Sequence, residues 1–171
     1  AADPLLARAA DAADPQTAQA AVEGLAVLAD NLAAAGRSFA DPGRVTAVVL
    51  EAAGSGDATL RSRAAYALGV VGGNGAVDRL AALLGDADDN VRVNAAVGLA
   101  RRGDPAAWDV ITEMLALPDV AAAAGDEAAQ SRRYKRALVV LNALKAVGLL
   151  VDALRTAPPS RVAERVTALR E

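Results

Sequence analysis

Two tandem copies of one sequence pattern lie between Asp57 and Leu115. The first copy reads Leu60-Arg61-x-x-Ala64-Ala65-x-x-Leu68-x-x-x-Gly72 and continues as Val77-x-x-Leu80-x-x-Leu83-Leu84. The second copy reads Val91-Arg92-x-x-Ala95-Ala96-x-x-Leu99-x-x-x-Gly103 and continues as Trp108-x-x-Ile111-x-x-Met114-Leu115. The shift is constant at 31 residues (from 61 to 92) and needs no gap. Self-similarity with a period of roughly 20–50 residues predicts a stack of repeats.

Each copy predicts a pair of helices joined by a tight turn. Apolar residues spaced three and four apart indicate first helices at about 58–71 and 89–102 and second helices at about 75–85 and 105–116. Glycines in Gly72-Gly73-Asn74-Gly75 and Gly103-Asp104-Pro105 supply the left-handed or helix-starting backbone that such turns require. The repeating unit is therefore predicted to be a helical hairpin.

The flanks carry the same helical spacing with longer connections. Asp3-Pro4 and Asp14-Pro15 mark helix starts, because aspartate caps a helix and proline suits its first turn. Val120 to Gly125 is an alanine-rich connection, helix or loop, before a helix that starts near Asp126 and continues to about Arg155. The predicted fold is an all-α α-solenoid of about four helical hairpins in a single domain, residues 1–171. Its units are a half-repeat at 3–12 and repeats at about 14–54, 57–86, 88–117 and 126–170.

Composition agrees with closely packed helices and removes several kinds of chemistry. Hydrophobic residues make up 54% of the 171 residues and aromatic residues only 2%, and much of the apolar fraction is alanine, which lets helix axes approach. Lys and Arg total 18 against 21 Asp and Glu, a net charge of −3 that argues against general nucleic-acid binding. Since the chain has no Cys and no His, disulfides, Cys/His zinc sites and Ser-His-Asp catalysis are excluded, and no cofactor is expected.

The sequence leaves the compartment and the oligomeric state open. No apolar run approaches the roughly 18 residues of a membrane span, so no membrane partner is expected. The chain begins with Ala1 rather than Met, which we interpret as the start of a processed or excised piece of a longer protein. The compartment is then the cytoplasm or, if Ala1 follows a cleaved signal peptide, the periplasm or another extracytoplasmic space.

The first copy carries a family resemblance. Leu60-Arg61-x-x-Ala64-Ala65-x-Ala67-Leu68-Gly69-x-x-Gly72, followed by Ala76-Val77-x-x-Leu80-x-x-Leu83-Leu84-x-Asp86, resembles the HEAT repeat, in particular the short bacterial form named after phycobilisome lyases. The second copy keeps Ala100 and Ala107 and has Trp108 where the first has Val77. The resemblance is strong over 57–115 and weaker over 14–54 and 126–170.

The resemblance implies how the helices are arranged. First helices would line the convex side of the stack and second helices the concave side. Arg61 and Arg92 would bridge to acidic groups of the loops, and Asp57, Asp88 and Asp89 are the expected acceptors.

Alignment of the second helices predicts a binding surface on the concave side. It places three rows of residues away from the core: Thr46, Asp78, Asp109 and Ala163; Ala47, Arg79, Val110 and Glu164; and Leu50, Ala82, Glu113 and Thr167. Apolar residues at exposed positions, here Leu50 and Val110, indicate a contact surface. We therefore predict a protein-binding site formed by Thr46, Leu50, Asp78, Arg79, Asp109, Val110 and Glu113.

A run of cations is the most pronounced charge feature of the chain. Arg132, Arg133, Lys135 and Arg136 surround Tyr134. Such a run is either a solvated helix face or a docking patch for an acidic protein, a phosphate group or a nucleic-acid backbone.

Three further motifs have a structural interpretation. Trp108 aligns with the core positions Val45 and Val77 and is expected to anchor the core rather than stack on a ligand. Asp86-x-Asp88-Asp89-Asn90 lacks the Gly and Glu of a calcium loop and is expected to cap helices, not to bind metal. Gly72-Gly73-x-Gly75 lacks the strand and the Lys-Ser/Thr of a phosphate loop and is expected to form the hairpin turn.

These patterns predict a non-catalytic scaffold or adaptor that binds a partner protein on its concave face. One alternative is a bilin-lyase-like protein or another enzyme accessory subunit of the HEAT type. Another is a nucleic-acid-binding solenoid, which is less expected because Asp78, Asp109 and Glu113 make the predicted surface acidic. No catalytic or metal-binding residues are predicted.

Overall fold

The computed structural model describes residues 3–11, 14–116 and 127–169, and within these ranges the regular elements are all helices. Their bounds are α1 Asp3–Ala9, α2 Pro15–Ala34, α3 Pro42–Ala52, α4 Ala58–Val71, α5 Ala76–Leu83, α6 Asp89–Arg101, α7 Trp108–Leu115, α8 Glu127–Leu154 and α9 Ser160–Ala168. A short 3₁₀ turn, Pro105–Ala107, leads into α7. The prediction of an all-α solenoid is confirmed. The predicted connection at 120–125, the helix start near Asp126 and the unit ends at 12, 117 and 170 lie outside the described residues.

Local sequence determines where most helices begin. The carboxylates of Asp14, Asp41, Asp57 and Asp88 each accept hydrogen bonds from backbone N–H groups in the first turn of the helix that follows. This satisfies N–H groups that a helix leaves unpaired at its start. Pro15 and Pro42 occupy first-turn positions, where the missing N–H of proline costs nothing.

The helices form two layers over a continuous apolar core. The first helices of the hairpins, α2, α4, α6 and α8, pack against one another in that order. The second helices lie on the other side, with α1 against α3, α3 against α5 and α7 against α9. One cluster of buried apolar side chains runs from Leu6 on α1 to Val162 on α9 and includes Leu68, Leu99 and Ile111. Stacked together, the hairpins bury apolar surface that a single hairpin would leave exposed.

Trp108 and Val45 are buried in this core, which confirms the core interpretation of both residues. The same prediction for Val77 is wrong, because its side chain is 36% exposed. Since α5 packs mainly against α4 and α6 and only slightly against α3, one side of its first turn is left open.

The two central first helices cross in close contact at a pair of glycines. A Cβ built on Gly69 of α4 would lie 2.5 Å from the Cα of Gly98 on α6. A Cβ on Gly98 would lie 2.9 Å from Leu80 Cδ2 and 3.2 Å from the carbonyl oxygen of Ala65. The contact at Gly69 is with backbone and leaves no room for a side chain, so this crossing requires glycine at that position. At Gly98 an added Cβ would press on the end of the Leu80 side chain and on the Ala65 carbonyl group.

A half-buried ion pair connects the loops on either side of the first central hairpin. Nε and Nη2 of Arg61 donate to the two carboxylate oxygens of Asp86 at 2.8 and 2.9 Å. Nη1 of Arg61 donates to the carbonyl oxygens of Ser55 and Gly56 at 3.1 and 3.0 Å. The guanidinium therefore ties the loop before α4 to the loop after α5.

The structure corrects part of the predicted acceptor set. Asp57 and Asp88 do not pair with the arginines, because their carboxylates cap α4 and α6. Arg92 does pair with Asp89, at 3.3 Å, as predicted, and also with Glu113, at 3.2 Å. Asp88 caps α6, as predicted for the 86–90 stretch, whereas Asp86 binds Arg61, a role that was not predicted.

We expect Gly69→Ala to lower the free energy of unfolding by about 2–3 kcal/mol, because the added methyl must push the α6 backbone away. The matched control is Gly148→Ala on α8, where an added Cβ meets nothing within 4 Å. In this open helical position the same change should stabilise by about 0.5–1 kcal/mol. Urea unfolding of both variants measures the difference. Equal stability of Gly69→Ala and the wild type would contradict the close crossing.

A second prediction concerns the stability of the protein at low pH. The hydrogen bond from Arg61 is the main reason why the pKa of Asp86 lies below its usual value. Since the folded pKa is the lower one, ionised Asp86 stabilises the fold above the unfolded carboxyl pKa of about 4, and this contribution is lost as the pH falls through the folded value. We therefore expect Asp86→Asn to be less stable than wild type at pH 7, with the gap closing below about pH 4. Chemical denaturation from pH 7 to pH 3 measures the gap.

Asp3→Asn is the control for this experiment, because Asp3 forms an ion pair with Arg44 in which both side chains are more than half exposed. Such an exposed pair contributes little to stability, so the pH dependence should follow that of the wild type. A gap between wild type and Asp86→Asn that stays constant with pH would refute the role assigned to the ionised carboxylate.

Candidate functional site

The exposed side chains of α3, α5, α7 and α9 form the second-helix surface. Of the seven residues predicted to line it, three are exposed: Asp78 on α5 and Asp109 and Glu113 on α7. The structure therefore retains the acidic part of the predicted surface. The remaining four residues have other positions or roles.

Thr46 and Val110 are buried, and the prediction that they face a partner is wrong. Thr46 Oγ1 donates to the carbonyl oxygen of Gly72 at 2.9 Å, in the turn between α4 and α5. A Cβ on the adjacent Gly73 would lie 2.4 Å from Thr46 Oγ1, so the threonine fills the space next to that turn. Val110 is covered because α8 packs across α7, bringing Val139 to the same hollow.

Leu50 and Arg79 are half-buried at the junction between α3 and α5. The methyl group Cδ1 of Leu50 lies 3.7 Å from the position of a Cβ on Gly75, the residue that precedes α5. Arg79 Nη2 donates to the carbonyl oxygen of Ala53 at 2.6 Å, at the end of α3. Both side chains therefore hold the stack together, and little of either is available to a partner.

Two of the three exposed carboxylates have a cationic neighbour. Asp109 forms an ion pair with Arg161 of α9, and Glu113 forms one with Arg92. Asp78 has no hydrogen bond or ion pair from its side chain among the described residues. No sequence pattern indicates the Asp109–Arg161 pair, because its two residues are 52 positions apart and meet only through the packing of α7 on α9. Among the three exposed carboxylates of the predicted site, Asp78 is therefore the one without a described cationic partner.

The predicted basic run lies near the start of α8. Arg132, Arg133 and Lys135 are exposed, Arg136 is half-buried with a contact of its own, and the ring of Tyr134 is 67% exposed. Glu127 occupies the first turn, so the cations do not oppose the helix dipole there. The helix runs past Gly148 to Leu154, as predicted. The sequence could place these residues on a helix, but it could not show which other groups share their surface.

The apolar surface of α8 was not foreseen. An 18-residue window of this helix has a mean hydropathy of 2.0, so α8 is long and apolar enough to cross a membrane by length and composition alone. This corrects the expectation that no segment approaches that limit. Asn142, Lys145 and Asp152 interrupt the apolar run without lowering its mean hydropathy enough to exclude it. A core helix of a soluble protein passes the same test when it is mostly buried, but only 17% of this window is buried.

A groove runs along the exposed side of α8, between this helix and the outer sides of α4 and α6. We call it the α8 groove, and its volume is about 580 Å³. Its principal lining residues are Tyr66, Val97, Arg101, Lys145, Leu149 and Asp152. The guanidinium carbon of Arg101 lies 5.5 Å from the ring centre of Tyr66, and Arg101 also pairs with Asp30 at 3.7 Å. The sequence contained the exposed leucines but offered no means of telling that α4 and α6 leave this side of α8 uncovered.

No set of three or more acidic, histidine or cysteine side chains that could hold a metal ion occurs in the part of the chain that the structure describes. Asp86, Asp88 and Asp89, which the sequence placed in one stretch, have separate roles: Asp86 binds Arg61, Asp88 caps α6 and Asp89 pairs with Arg92.

Comparison with known proteins gives one family. The family model for HEAT repeats matches residues 2–89 and, a second time, residues 45–131. These two matches together extend over more than half of the chain and include both central hairpins. They do not single out the short phycobilisome-lyase form. No curated protein matches the chain.

Proposed function

Since the chain belongs to the HEAT repeat family, we propose that it is a non-catalytic scaffold that binds a partner protein across its second-helix surface. HEAT repeats generally serve as protein-interaction scaffolds and are typically non-catalytic. The packing of α1 to α9 supports a stack of four hairpins preceded by a half-repeat, which offers an extended surface to a partner.

The exposed carboxylate of Asp78 is the observation that carries this proposal. A carboxylate that no described cation neutralises is available to pair with Lys or Arg of another protein. Asp109 and Glu113 place two further exposed carboxylates along α7, each of them paired with an arginine. The proposed partner therefore presents a basic or polar face to α5 and α7.

The acidic surface also weighs against the nucleic-acid alternative, because a phosphate backbone is recognised through Lys and Arg. Among the arginines of α3, α5, α7 and α9, Arg44 and Arg161 are paired with Asp3 and Asp109, and Arg79 is half-buried against the carbonyl oxygen of Ala53. Arg165 of α9 is the exposed arginine without an ion pair among the described residues. No observation on the described residues adds support to a bilin-lyase-like role.

We expect Asp78→Arg to remove partner proteins that the wild type retains from lysate of the source organism, because the reversal replaces attraction by repulsion. Glu23→Arg is the matched control. It makes the same change of charge at an exposed residue of α2, in the first-helix layer, where Glu23 pairs with Arg63. Quantitative mass spectrometry of the retained proteins compares the three baits, and circular dichroism confirms that each is folded.

The proposal requires at least one retained protein to fall by more than about fivefold with Asp78→Arg and to stay constant with Glu23→Arg. An unchanged set of proteins with Asp78→Arg would remove the second-helix surface as the binding site. The scaffold function itself fails if the wild type retains no protein above an empty matrix.

A further inference from the structure

The inference starts from α8, the longest helix in the described chain. Its buried face consists of Ala143, Ala146 and Leu150, which pack against the core formed with α6 and α7. The opposite face carries Tyr134, Leu138, Leu141, Lys145, Leu149 and Asp152. These residues recur at spacings of three and four, so they follow one side of the helix. Leu138, Leu141 and Leu149 are each at least 40% exposed.

Contact between such an apolar stripe and water raises the free energy of the protein unless another molecule covers the stripe. Contiguous exposed apolar surface of this kind marks a contact site in a soluble protein. The stripe from Tyr134 to Asp152 covers about five helical turns, or about 27 Å at a rise of about 1.5 Å per residue. A partner helix of about 18 residues, within the usual range of about 8–20, would match that length.

The α8 groove lies directly beside the stripe. Lys145, Leu149 and Asp152 belong to both, so the stripe forms one wall of the groove. Val97 and Tyr66 supply apolar surface on the other wall. A Cβ at Gly148 would meet no atom within 4 Å, so the wall formed by α8 is open at that point. Both walls also carry polar groups, with Asn94 on α6 and Asn142 on α8. A trough with apolar residues on each wall and polar residues beside them fits a rod-shaped amphipathic occupant better than a flat one.

Charge determines the chemistry of that occupant. The helix α8 has five cations and two carboxylates, although the chain as a whole has a net charge of −3. Lys145 and Arg101 lie in the groove, where Arg101 also pairs with Asp30, and Arg132, Arg133 and Lys135 are exposed further along α8. Asp152 is the one carboxylate among the groove's lining residues. An acidic occupant is complementary to this surface.

From these observations we propose that the α8 groove is a docking site for an amphipathic α-helix of a partner protein, with apolar residues on one face and Glu or Asp on its flanks. Leu149 and Val97 in the groove, with Leu138 and Leu141 further along the stripe, receive the apolar face, and Lys145 pairs with the acidic flank. The site lies on the first-helix layer, so it is separate from the second-helix surface of the proposed function.

Two other occupants fit the observations less well. A second copy of this chain that docked through the same stripe would bring two cationic α8 helices together, and their charges would repel. An anionic membrane surface would attract the cations, but a bilayer surface does not enter a trough between helices, and Asp152 would face its head groups. Both become outcomes of the test.

The test is a selection from a display library of peptides about 20 residues long, in which leucines spaced three and four apart are fixed and the flanking positions are randomised. We expect Glu and Asp to be enriched at the flanks of the selected peptides. The best binder is then labelled, and its dissociation constant is measured by fluorescence anisotropy.

Two matched double variants locate the binding. Lys145→Glu with Leu149→Ser should weaken the peptide complex by more than about tenfold, because it removes both an attractive charge and an apolar contact. Arg161→Glu with Leu169→Ser makes the same changes at exposed residues of α9 and just beyond it, and should leave the affinity unchanged. Asp78→Arg should also leave it unchanged, so this proposal and the proposed function can fail separately. Circular dichroism and thermal melting confirm the fold of each variant.

Three results would overturn the proposal. The first is an absence of acidic enrichment among selected peptides, or an equal loss of affinity in both double variants. The second is sedimentation of the free protein as a dimer that Lys145→Glu/Leu149→Ser separates, which would assign the groove to a second copy. The third is binding to vesicles of phosphatidylserine and phosphatidylcholine that the same variant abolishes, which would assign it to a lipid surface.

Discussion

The contact between Gly69 and Gly98 sets the distance between α4 and α6, and the neighbouring helices take their positions from it. This crossing depends on the absence of a side chain at Gly69, because the α6 backbone at Gly98 occupies the space that a Cβ would fill. Because α4 also packs against α2, and α6 against α8, any separation at this point would be passed along the layer of first helices. Leu80 of α5 fills the space beside Gly98, so the second layer depends on the same crossing.

Arginines complete the packing by binding backbone oxygens between the helices. Arg61 donates to Ser55 and Gly56, Arg79 donates to Ala53, and Arg102 donates to Gly69 and Val70 at 2.6 Å each. A helix leaves its last carbonyl groups without intrahelical partners, and these guanidinium groups supply donors at or near such positions. Because these arginines bind backbone oxygens inside the stack, carboxylates at the surface such as Asp78 have no described arginine as a partner.

The sequence predicted the helices well, because helical spacing, aspartate caps and glycine turns are local signals. It failed where a residue's surroundings depend on an irregular neighbour. Thr46 and Val110 were assigned to the surface by treating all second helices as equivalent, but Thr46 lies against the turn at Gly73 and Val110 lies under the long α8. The partner of Arg61 was missed for the same reason: Asp57 and Asp88 are closer to the arginines in the repeat pattern, but capping occupies them. On α8 both faces are apolar, and spacing alone cannot tell the covered face from the exposed one.

The Arg61–Asp86 pair occurs in only one of the two central repeats, and this makes the stack uneven. The residue one repeat after Asp86 is Leu117, so Arg92 has no equivalent partner and pairs instead with the exposed Asp89 and Glu113. In a linear stack, stability is the sum of each unit and its contacts with its neighbours, so a joint without the clamp is the softer one. Through α4 and α5 the stack therefore has a link between its loops that Arg92, paired at the surface of α6, does not provide.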